Sequence, residues 1–401
     1  MKPDLQDLMQ DVTRLTQAGQ LRDATALIQR LLNGGAAAHA QAQAKAPAQT
    51  VPRSTSSSPA APASPFTAPS PWVLDGCVFE IDAVAAPAQS AAQHSPRSAA
   101  ADIFTAGQHS HARLTRRYKL YVPPAPRNAS PQTARPLVLM LHGCTQSADD
   151  FAAGTAMNRL AREQGFFVLY PEQSSEANSS RCWNWFKHNH QQRGRGEPAL
   201  LASLTQTVMR EHGIDPQRVY VAGLSAWGAM AAIMGQAYPD LYAAVGVHSG
   251  LASGAARSLP EALAAMKSGA VMGQQAAAPA VVPTVVSTVV PTIVFHGDQD
   301  ATVHPKNGAQ VIEAQIAAGG VGTTVLEESG TSIGSSQQGR RYTRHIHHAA
   351  NDQRSIAEHW VVHGAGHAWS GGSATGSYTD AQGPDASAEM LRFFLAHPRR
   401  S

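Results

Sequence analysis

Three residues of the chain have the types and the order that covalent acyl transfer requires: Ser225, Asp300 and His367. Each follows a short apolar run that is typical of a strand, at 219–222, 292–295 and 357–362. A serine hydroxyl becomes a strong nucleophile when a neutral imidazole takes its proton, and a carboxylate fixes the tautomer of that imidazole. This order, with each residue after its own strand, predicts a catalytic triad for the hydrolysis of an ester or amide.

The serine lies at a corner between a strand and a helix. Gly223-Leu-Ser-Ala-Trp227 joins the apolar run to an Ala/Met-rich stretch of helical composition without a loop. Such corners usually read G-x-S-x-G, and here the last position is tryptophan. A glycine there lets the helix approach a neighbouring strand, so a buried indole predicts overpacking that costs about 1–3 kcal/mol. Three interpretations are open: Trp227 narrows the cleft, fills a pocket of its own, or leaves a weak enzyme.

The negative charge of a tetrahedral intermediate needs two N–H donors that already point at it. The N–H of Ala226 is one, because it comes directly after the serine. The second is expected from the turn His142-Gly-Cys144, which follows the apolar run 137–141. The sequence therefore predicts an oxyanion hole formed by the backbone N–H groups of Cys144 and Ala226.

Other residues of the same types are present. Asp298 competes with Asp300 for the role of the acid. The chain has 18 histidines, so most of them must be structural or exposed. The group at 345–348 contains several, but no cysteine or carboxylate set accompanies it, and we do not expect a metal site there.

The elements that would position these residues alternate between strand and helix. Continuous apolar runs such as 137–141 are typical of strands buried on both faces of a parallel sheet. Strands are predicted at 113–122, 137–141, 166–170, 218–222, 242–247, 292–295, 340–346 and 357–362, with 340–346 at an edge. Helices are predicted at 198–212, 226–237, 259–268 and 385–396, and from a cap at Asp149 to about Gln164. This alternation predicts an α/β fold with a doubly wound, mostly parallel sheet and helices on both faces, whose chemistry lies at the carboxyl ends of the strands.

The chain divides into three parts by composition. Residues 1–35 show apolar positions at three-and-four spacing and predict an amphipathic helical hairpin. Residues 36–105 are rich in Ala, Pro, Ser and Gln and predict a mostly disordered linker. Residues 106–398 form the predicted catalytic domain, with a flexible insertion near 268–290. The hairpin is expected to dock on its own chain, on a partner or on a granule surface.

Composition and charge argue against several classes of protein. The formal net charge is only +3 over 401 residues and the basic residues are scattered, so nucleic-acid binding gets no support. No apolar run approaches the ~18 residues that a membrane span needs. The N-terminal residues carry acids and lack the basic and apolar regions of a signal peptide, which predicts a cytoplasmic location, with an extracellular one as the alternative.

Several sequence blocks occur in one order along 113–397. They are Leu141-His-Gly-Cys-Thr-Gln146, Cys182-Trp-Asn-Trp-Phe186, Val221-Ala-Gly-Leu-Ser-Ala226, Tyr238-Pro-Asp-Leu241, Val247-His-Ser-Gly-Leu251, Ile293-Val-Phe-His-Gly297 with Asp300, Gly364-Ala-Gly-His-Ala-Trp-Ser-Gly-Gly372 and Gly383-Pro-Asp-Ala-Ser387. In these blocks the chain resembles the poly(3-hydroxybutyrate) depolymerase-type esterases of the α/β-hydrolase superfamily. The resemblance implies the α/β-hydrolase fold, the triad Ser225, Asp300 and His367, esters of short hydroxy acids as substrates, and no cofactor.

The resemblance also bears on the surroundings of the triad. It implies that Cys144 and Cys182 lie close together and can form a disulfide between the turn His142-Gly-Cys144, here called the oxyanion turn, and the loop that carries Trp183 and Trp185. The side chains expected to contact substrate are His142, Trp183, Trp185, Trp227 and Trp369; the alternative for the tryptophans is plain core packing.

Three hypotheses about function follow. The first is a serine esterase that acts on poly(3-hydroxybutyrate) or its oligomers. The second is an esterase for feruloyl or acetyl esters of plant walls. The third, from another class, is a binding protein that Trp227 has silenced. The N-terminal hairpin and linker have no counterpart in the secreted depolymerases, which favours an intracellular esterase or an oligomer hydrolase.

Overall fold

The computed structural model describes residues 103–125, 134–271, 290–318, 326–349 and 352–399. The hairpin predicted at 1–35, the linker up to residue 102 and the insertion between residues 272 and 289 lie outside the described residues. In the described part of the chain, no helix is both long and apolar enough to cross a bilayer.

Ten strands form one sheet in the order β1-β2-β4-β3-β5-β6-β7-β10-β9-β8, and two short strands pair separately. Their bounds are β1 Ile103–His111, β2 Leu114–Val122, β3 Arg135–Leu141, β4 Phe167–Pro171, β5 Ile214–Leu224, β6 Ala244–His248, β7 Thr292–Gly297, β8 Leu326–Ser335, β9 Arg341–Ala349, β10 Asp352–Val362, β11 Trp369–Ser370 and β12 Thr379–Asp380. From β4 through β3, β5, β6 and β7 to β10 every neighbouring pair is parallel. The pairs that involve β1, β8 and β9 are antiparallel, as is the pairing of β2 with β4.

Seven α-helices of the described residues flank this sheet. They are α1 Ala148–Thr155, α2 Met157–Gln164, α3 Gly196–His212, α4 Ala226–Ala237, α5 Leu259–Ser268, α6 Lys306–Ala318 and α7 Ala386–Ala396. Helix α4 begins directly after Ser225. Capping side chains mark the start of two other helices: Ser258 caps α5, and the carboxylate of Asp385 accepts from Ala388 N at 2.9 Å at the start of α7. The predicted bounds of α4 and α5 are confirmed.

The core lies in two layers, one on each face of the sheet. Leu137 and Leu139 of β3 point into the layer that contains α3 and α4, whereas Val138 and Met140 point into the layer that contains α1, α2 and α7. All four side chains are fully buried. Because successive residues of a strand face opposite sides, a strand covered on both faces must be apolar throughout. The predicted α/β fold with helices on both faces is confirmed.

Two predictions about elements are wrong. The helix predicted to run from Asp149 to Gln164 is two helices, capped by Ser147 and interrupted at Ala156, whose φ of 52° lies in the left-handed region. An α-helix cannot continue through a residue in that region. The strand predicted at 340–346 is β9 and does not form the edge, because β8 lies outside it. The first edge strand, β1, was not predicted.

Candidate active site

Ser225 lies between β5 and α4 in a strained backbone conformation. Its φ is 64° and its ψ is −128°, which is unusual for a residue with a side chain. The N–H of Ser225 donates to the carbonyl of His248 at the end of β6, at 2.8 Å. The corner is thus fixed to the neighbouring strand, as expected for a nucleophile held at the top of a sheet.

The close packing at this corner depends on glycines on either side of the serine. A Cβ added to Gly223 would lie 2.4 Å from the carbonyl oxygen of Trp227. A Cβ added to Gly228 would lie 3.1 Å from both His248 O and Gly250 Cα. Gly228 therefore lets α4 approach β6. In the G-x-S-x-G pattern the glycine with this role stands one position earlier, where this chain has Trp227.

Trp227 is 0% exposed. Its ring contacts the ring of His142 at a centroid distance of 3.7 Å and the ring of Trp183 at 4.7 Å, edge to face. Gly228 rather than residue 227 makes the close approach to β6, and the indole of Trp227 packs against His142 and Trp183 instead. This burial fits a pocket of its own better than a side chain that narrows an open cleft, and the weak-enzyme interpretation stays a prediction about activity.

Asp300 and His367 lie at the carboxyl ends of β7 and β10, which are neighbours in the sheet. The Nδ1 of His367 and the Oδ2 of Asp300 are 2.7 Å apart. The other oxygen of Asp300 accepts from the N–H groups of Thr302 and Val303 at 2.9 and 2.8 Å. This arrangement leaves Nε2 of His367 as the ring nitrogen that can take or give a proton.

The Asp300 carboxylate is buried yet stays ionised. Burial alone would raise its pKa, but hydrogen bonds from His296 and His367 and the N–H of Val303 outweigh it, so the pKa of Asp300 lies well below its usual range. The ring of His296 donates through Nε2 to Val303 O at 2.8 Å and lies 3.5 Å from the carboxylate. His296 is a neighbour that sequence reasoning missed, although its position in His296-Gly-Asp-Gln-Asp300 was a signal for it.

Asp298 belongs to a different pair. Its carboxylate contacts Nδ1 of His363 at 2.9 Å and accepts from the N–H of Gly364 at 2.7 Å. Its side chain is 32% exposed, whereas the side chain of Asp300 is fully buried. Of the two candidate acids, the structure brings only Asp300 to His367.

The segment around His367 connects back to the serine corner through His248. Nε2 of His248 accepts from the N–H of Ser370 at 2.9 Å, and its ring stacks on Trp369 at 5.1 Å. The carbonyl of the same His248 holds Ser225 N. Burial lowers the pKa of His248 to about 3, and the neighbouring histidines act in the same direction. A neutral His248 thus joins the two segments, a role that the sequence did not reveal.

The turn after β3 carries the second predicted oxyanion donor. Gly143 N donates to Oε1 of Gln146 at 2.7 Å, and Thr145 N donates to Ser180 O at 2.8 Å. Gln146 in turn donates to Asp150 at 2.8 Å. The N–H groups of Cys144 and Ala226 donate to no oxygen among the residues described, which leaves both free for a ligand.

A disulfide joins Cys144 of this turn to Cys182, with the Cα atoms 4.5 Å apart. Together with the bond between Thr145 and Ser180, it fixes the turn to the loop after β4. The loop itself is held by Glu197 in the first turn of α3, which accepts from Gln173 Nε2 at 2.6 Å and from the N–H of Asn184 at 2.9 Å.

The side chains predicted to contact substrate are all buried in this structure. Their exposed fractions do not exceed a few per cent for His142, Trp183, Trp185, Trp227 and Trp369. Burial lowers the pKa of His142 to about 3, so its ring is neutral at physiological pH. Core packing accounts for the contacts of the four tryptophans, whereas His142 also borders a concave region beside the turn.

Within the described ranges, no group of three His, Cys, Asp or Glu residues could hold one metal ion.

Residues 116–331 match the family model described as Esterase PHB depolymerase. Poly(3-hydroxyalkanoate) depolymerase C of Paucimonas lemoignei is 33% identical over 181 residues, which are 44% of this chain and 44% of that protein. Feruloyl esterase B of Thermothelomyces thermophilus is 34% identical over 125 residues, 31% of this chain and 42% of that protein. Each match spans less than half of the relative's length.

Among solved structures, the acetyl xylan esterase from Aspergillus awamori has a TM-score of 0.52 at 19% sequence identity. The alignment covers 73% of this chain and 99% of that one. This likeness supports the α/β-hydrolase fold.

Proposed function

Because the chain belongs to the Esterase PHB depolymerase family, we propose that it hydrolyses carboxylic esters through an acyl-enzyme on Ser225. The observation that carries the proposal is the contact of 2.7 Å between Asp300 and Nδ1 of His367. This contact leaves Nε2 of His367 as the base, at the edge of the sheet where Ser225 sits in its strained corner.

The mechanism follows from the proton positions. Nε2 of His367 takes the proton of the Ser225 hydroxyl while Oγ forms a bond to the ester carbonyl carbon. The N–H groups of Cys144 and Ala226 donate to the oxyanion. The carbon–oxygen bond to the alcohol then breaks, and His367 gives its proton to the leaving alkoxide. A water molecule, deprotonated by the same nitrogen, attacks the acyl-enzyme and releases the acid and the free serine.

Asp300 supports these steps without accepting a proton. Its carboxylate holds the tautomer of His367 with the proton on Nδ1 and stabilises the imidazolium that forms. A pKa well below the usual range keeps Asp300 charged throughout the working range of pH.

The substrate class proposed is short hydroxyalkanoate esters, as poly(3-hydroxybutyrate) or its oligomers. The name of the Paucimonas lemoignei relative and the family model favour this class. Feruloyl or acetyl esters are the alternative, which the name of the Thermothelomyces thermophilus relative favours. A silenced binding protein is less favoured, because Trp227 is accommodated in the core and leaves the serine corner intact.

The compartment is part of the same proposal. The predicted cytoplasmic location conflicts with the disulfide between Cys144 and Cys182, because such bonds persist in oxidising compartments. We therefore favour an oxidising compartment. Mass spectrometry of the protein alkylated at purification from its native host would detect two free thiols at these positions if the cytoplasmic location is right.

Hydrolysis of p-nitrophenyl butyrate by wild type and Ser225→Ala tests the proposal. We expect kcat to fall by about 10⁴-fold or more, the usual loss of a triad nucleophile. Ser268→Ala, at the exposed end of α5, is the matched control and should keep full activity. Equal rates for wild type and Ser225→Ala would refute the assignment. Relative kcat/KM on hydroxybutyrate trimer, methyl ferulate and an acetylated xylan oligomer then separates the substrate classes.

A further inference from the structure

A concave region lies directly beside the oxyanion turn. It has a volume of about 840 Å³ and a mostly polar lining, which is the size of a small-molecule site. Its wall includes His142 and Gln146 of the turn, residues 172–177 after β4, and residues 113–117 at the start of β2. We refer to it as the polar cavity.

The polar cavity opens at the same edge of the sheet as Ser225. Strands β3 and β4 end there, and β2 begins there because it is antiparallel to β4. Ser225 follows β5, the neighbour of β3 on its other side. From β5 to β2 there are three strand spacings of about 4.8 Å, so the far wall of the cavity lies roughly 15 Å from the serine. A ligand that occupies the cavity and also reaches the serine must span this separation.

Two arginines of this wall have no partner for their charge. Arg113 and Arg181 donate no side-chain hydrogen bond and form no ion pair with any residue that the structure describes. The other two arginines of the wall do: Arg116 lies 3.2 Å from Glu197, and Arg117 lies 3.8 Å from Glu172.

The balance of charge in the polar cavity is therefore positive. With Arg117 and Glu172 paired, the remaining carboxylate of the wall is Glu176, which is exposed. Two unpaired guanidinium groups face one carboxylate. A guanidinium group offers a planar set of donors that matches a carboxylate, so an anionic ligand is favoured over a neutral one.

Arg181 is fixed to the oxyanion turn by the residues on both sides of it. Ser180 accepts the hydrogen bond of Thr145, and Cys182 forms the disulfide to Cys144. The backbone of Arg181 itself is in the left-handed region, with a φ of 53°, and its N–H donates to Asn178. A side chain with unpaired charge is thus held in a backbone conformation that favours glycine or asparagine.

Arg181 also lies close enough to the turn to interact electrostatically with His142. The pKa of His142 is lowered to about 3, first by burial and then by the positive charge of Arg181. Arg113 is on the other side of the polar cavity, in the tight connection between β1 and β2, and it too is in the left-handed region, with a φ of 67°. The two guanidinium groups approach the cavity from separate loops.

We propose that the polar cavity binds the free carboxylate of the leaving hydroxy acid, through Arg181 and Arg113, while Ser225 attacks the ester. This rests on the proposed function and narrows its substrate to linear hydroxyalkanoate oligomers that end in a free acid. In such an oligomer the carboxylate belongs to the alcohol side of the scissile ester. The bond from the carbonyl carbon to that alcohol breaks, His367 protonates the alkoxide, and the product released from the cavity is a hydroxy acid anion.

The kinetic test compares hydroxybutyrate trimer as its free acid with the same trimer as its methyl ester. For wild type we expect kcat/KM to be about tenfold higher for the free acid, the effect of one partly solvated charge-assisted contact. Arg181→Gln and Arg113→Gln should each reduce this ratio, and the double variant should bring it close to one, mainly through KM for the free acid. Arg341→Gln, an exposed arginine at the same edge on the far flank of the sheet, is the control and should leave the ratio unchanged.

A binding measurement separates this proposal from the proposed function. Calorimetry with the full chain carrying Ser225→Ala gives Kd for both trimers without turnover. Tighter binding of the free acid, lost with Arg181→Gln, supports the carboxylate site even if wild type hydrolyses neither trimer. The carboxylate site is overturned if the two trimers have equal Kd values, or if Arg181→Gln weakens the binding of both trimers equally. This holds even if p-nitrophenyl butyrate is hydrolysed rapidly.

Discussion

At the scale of single residues, the assignment of the acid depends on which carboxylate faces which histidine. Asp300 contacts His367 and Asp298 contacts His363, although both acids follow β7. We expect Asp300→Asn to reduce kcat about 10³–10⁴-fold, because an amide stabilises the wrong tautomer of the histidine. Asp298→Asn should stay within about threefold of wild type, since it lies outside the proton path. Initial rates on p-nitrophenyl butyrate measure both; a larger loss for Asp298→Asn would exchange the two roles.

Trp227 offers a second test at this scale. Its indole fills the space between His142 and Trp183, so Trp227→Gly removes a buried ring and places a glycine inside α4. The free energy of unfolding should fall by about 3–5 kcal/mol for the lost ring, with a further ~1 kcal/mol for the glycine. Trp227→Phe should lose less.

The silenced interpretation makes a prediction about the activity of the same variant rather than about its stability. If Trp227 blocks catalysis, Trp227→Gly will turn over p-nitrophenyl butyrate much faster than wild type. Urea unfolding and esterase rates on the same preparations decide between the two.

Much of the site could be predicted from residue order alone, since Ser225, Asp300 and His367 each follow an apolar run long enough to be a strand. The choice between Asp298 and Asp300 could not, because it depends on which rotamer meets which histidine across two strands. The direction of the Trp227 side chain also depends on a contact with the turn after β3, which is far away in sequence. Local patterns contain no information about either.

At the scale of elements, the oxyanion turn is held by links to the loop after β4. The disulfide between Cys144 and Cys182 closes a loop with a sequence separation of 38. A loop of this length contributes about 3–4 kcal/mol in the chain-entropy account. We expect the double variant Cys144→Ser, Cys182→Ser to lose about 2–4 kcal/mol of unfolding free energy, and kcat to fall more than KM changes.

Reduction provides the control for this variant. Dithiothreitol should lower the stability and kcat of wild type toward those of the double variant, and it should leave the double variant unchanged. A wild type that keeps its kcat after complete reduction, verified by thiol titration, would show that the turn does not need the disulfide.

The elements themselves were predictable where burial on both faces imposed a strong pattern. Helix α4 and strand β3 consist mostly of buried residues, and their sequences are apolar for that reason. Strands β1 and β8 lie at the two edges of the sheet and have polar sequences, such as Ile103-Phe-Thr-Ala-Gly-Gln-His-Ser-His111, that do not alternate strongly. The break at Ala156 has no sequence signal, since alanine is the best helix former.

At the scale of the whole molecule, several ionisable groups are buried in a single protonation state. Glu197 and Glu358 are fully buried, and Asp300 nearly so, with pKa values below the usual range because their hydrogen bonds outweigh burial. Unfolded carboxyl groups take up protons below about pH 4.5 whereas these remain charged, so their contribution to stability is present above that pH and is lost in acid.

Histidines with a lowered pKa add a pH dependence that begins nearer to neutrality. The pKa values of His142, His248 and His359 are each lowered to about 3, mainly by burial. In the unfolded chain these rings bind a proton below about pH 6.5, while in the folded protein they stay neutral. The unfolded state then binds more protons, so stability falls as the pH falls from 6.5 toward 3.

Urea unfolding at a series of pH values measures this effect. Between pH 6 and 4.5 we expect the free energy of unfolding to fall by about 1.4 kcal/mol per pH unit for each such histidine, and so by up to about 4 kcal/mol per pH unit for three. His359→Leu should reduce the slope of unfolding free energy against pH by the contribution of one proton. The substitution breaks no hydrogen bond at Nε2, because that atom has no partner among the described residues. His188→Gln, at an exposed position, should keep the wild-type slope. A flat profile above pH 4.5 would mean that these rings are charged in the folded protein. It would also contradict the neutral state of His248 in the link between Ser225 and the His367 segment.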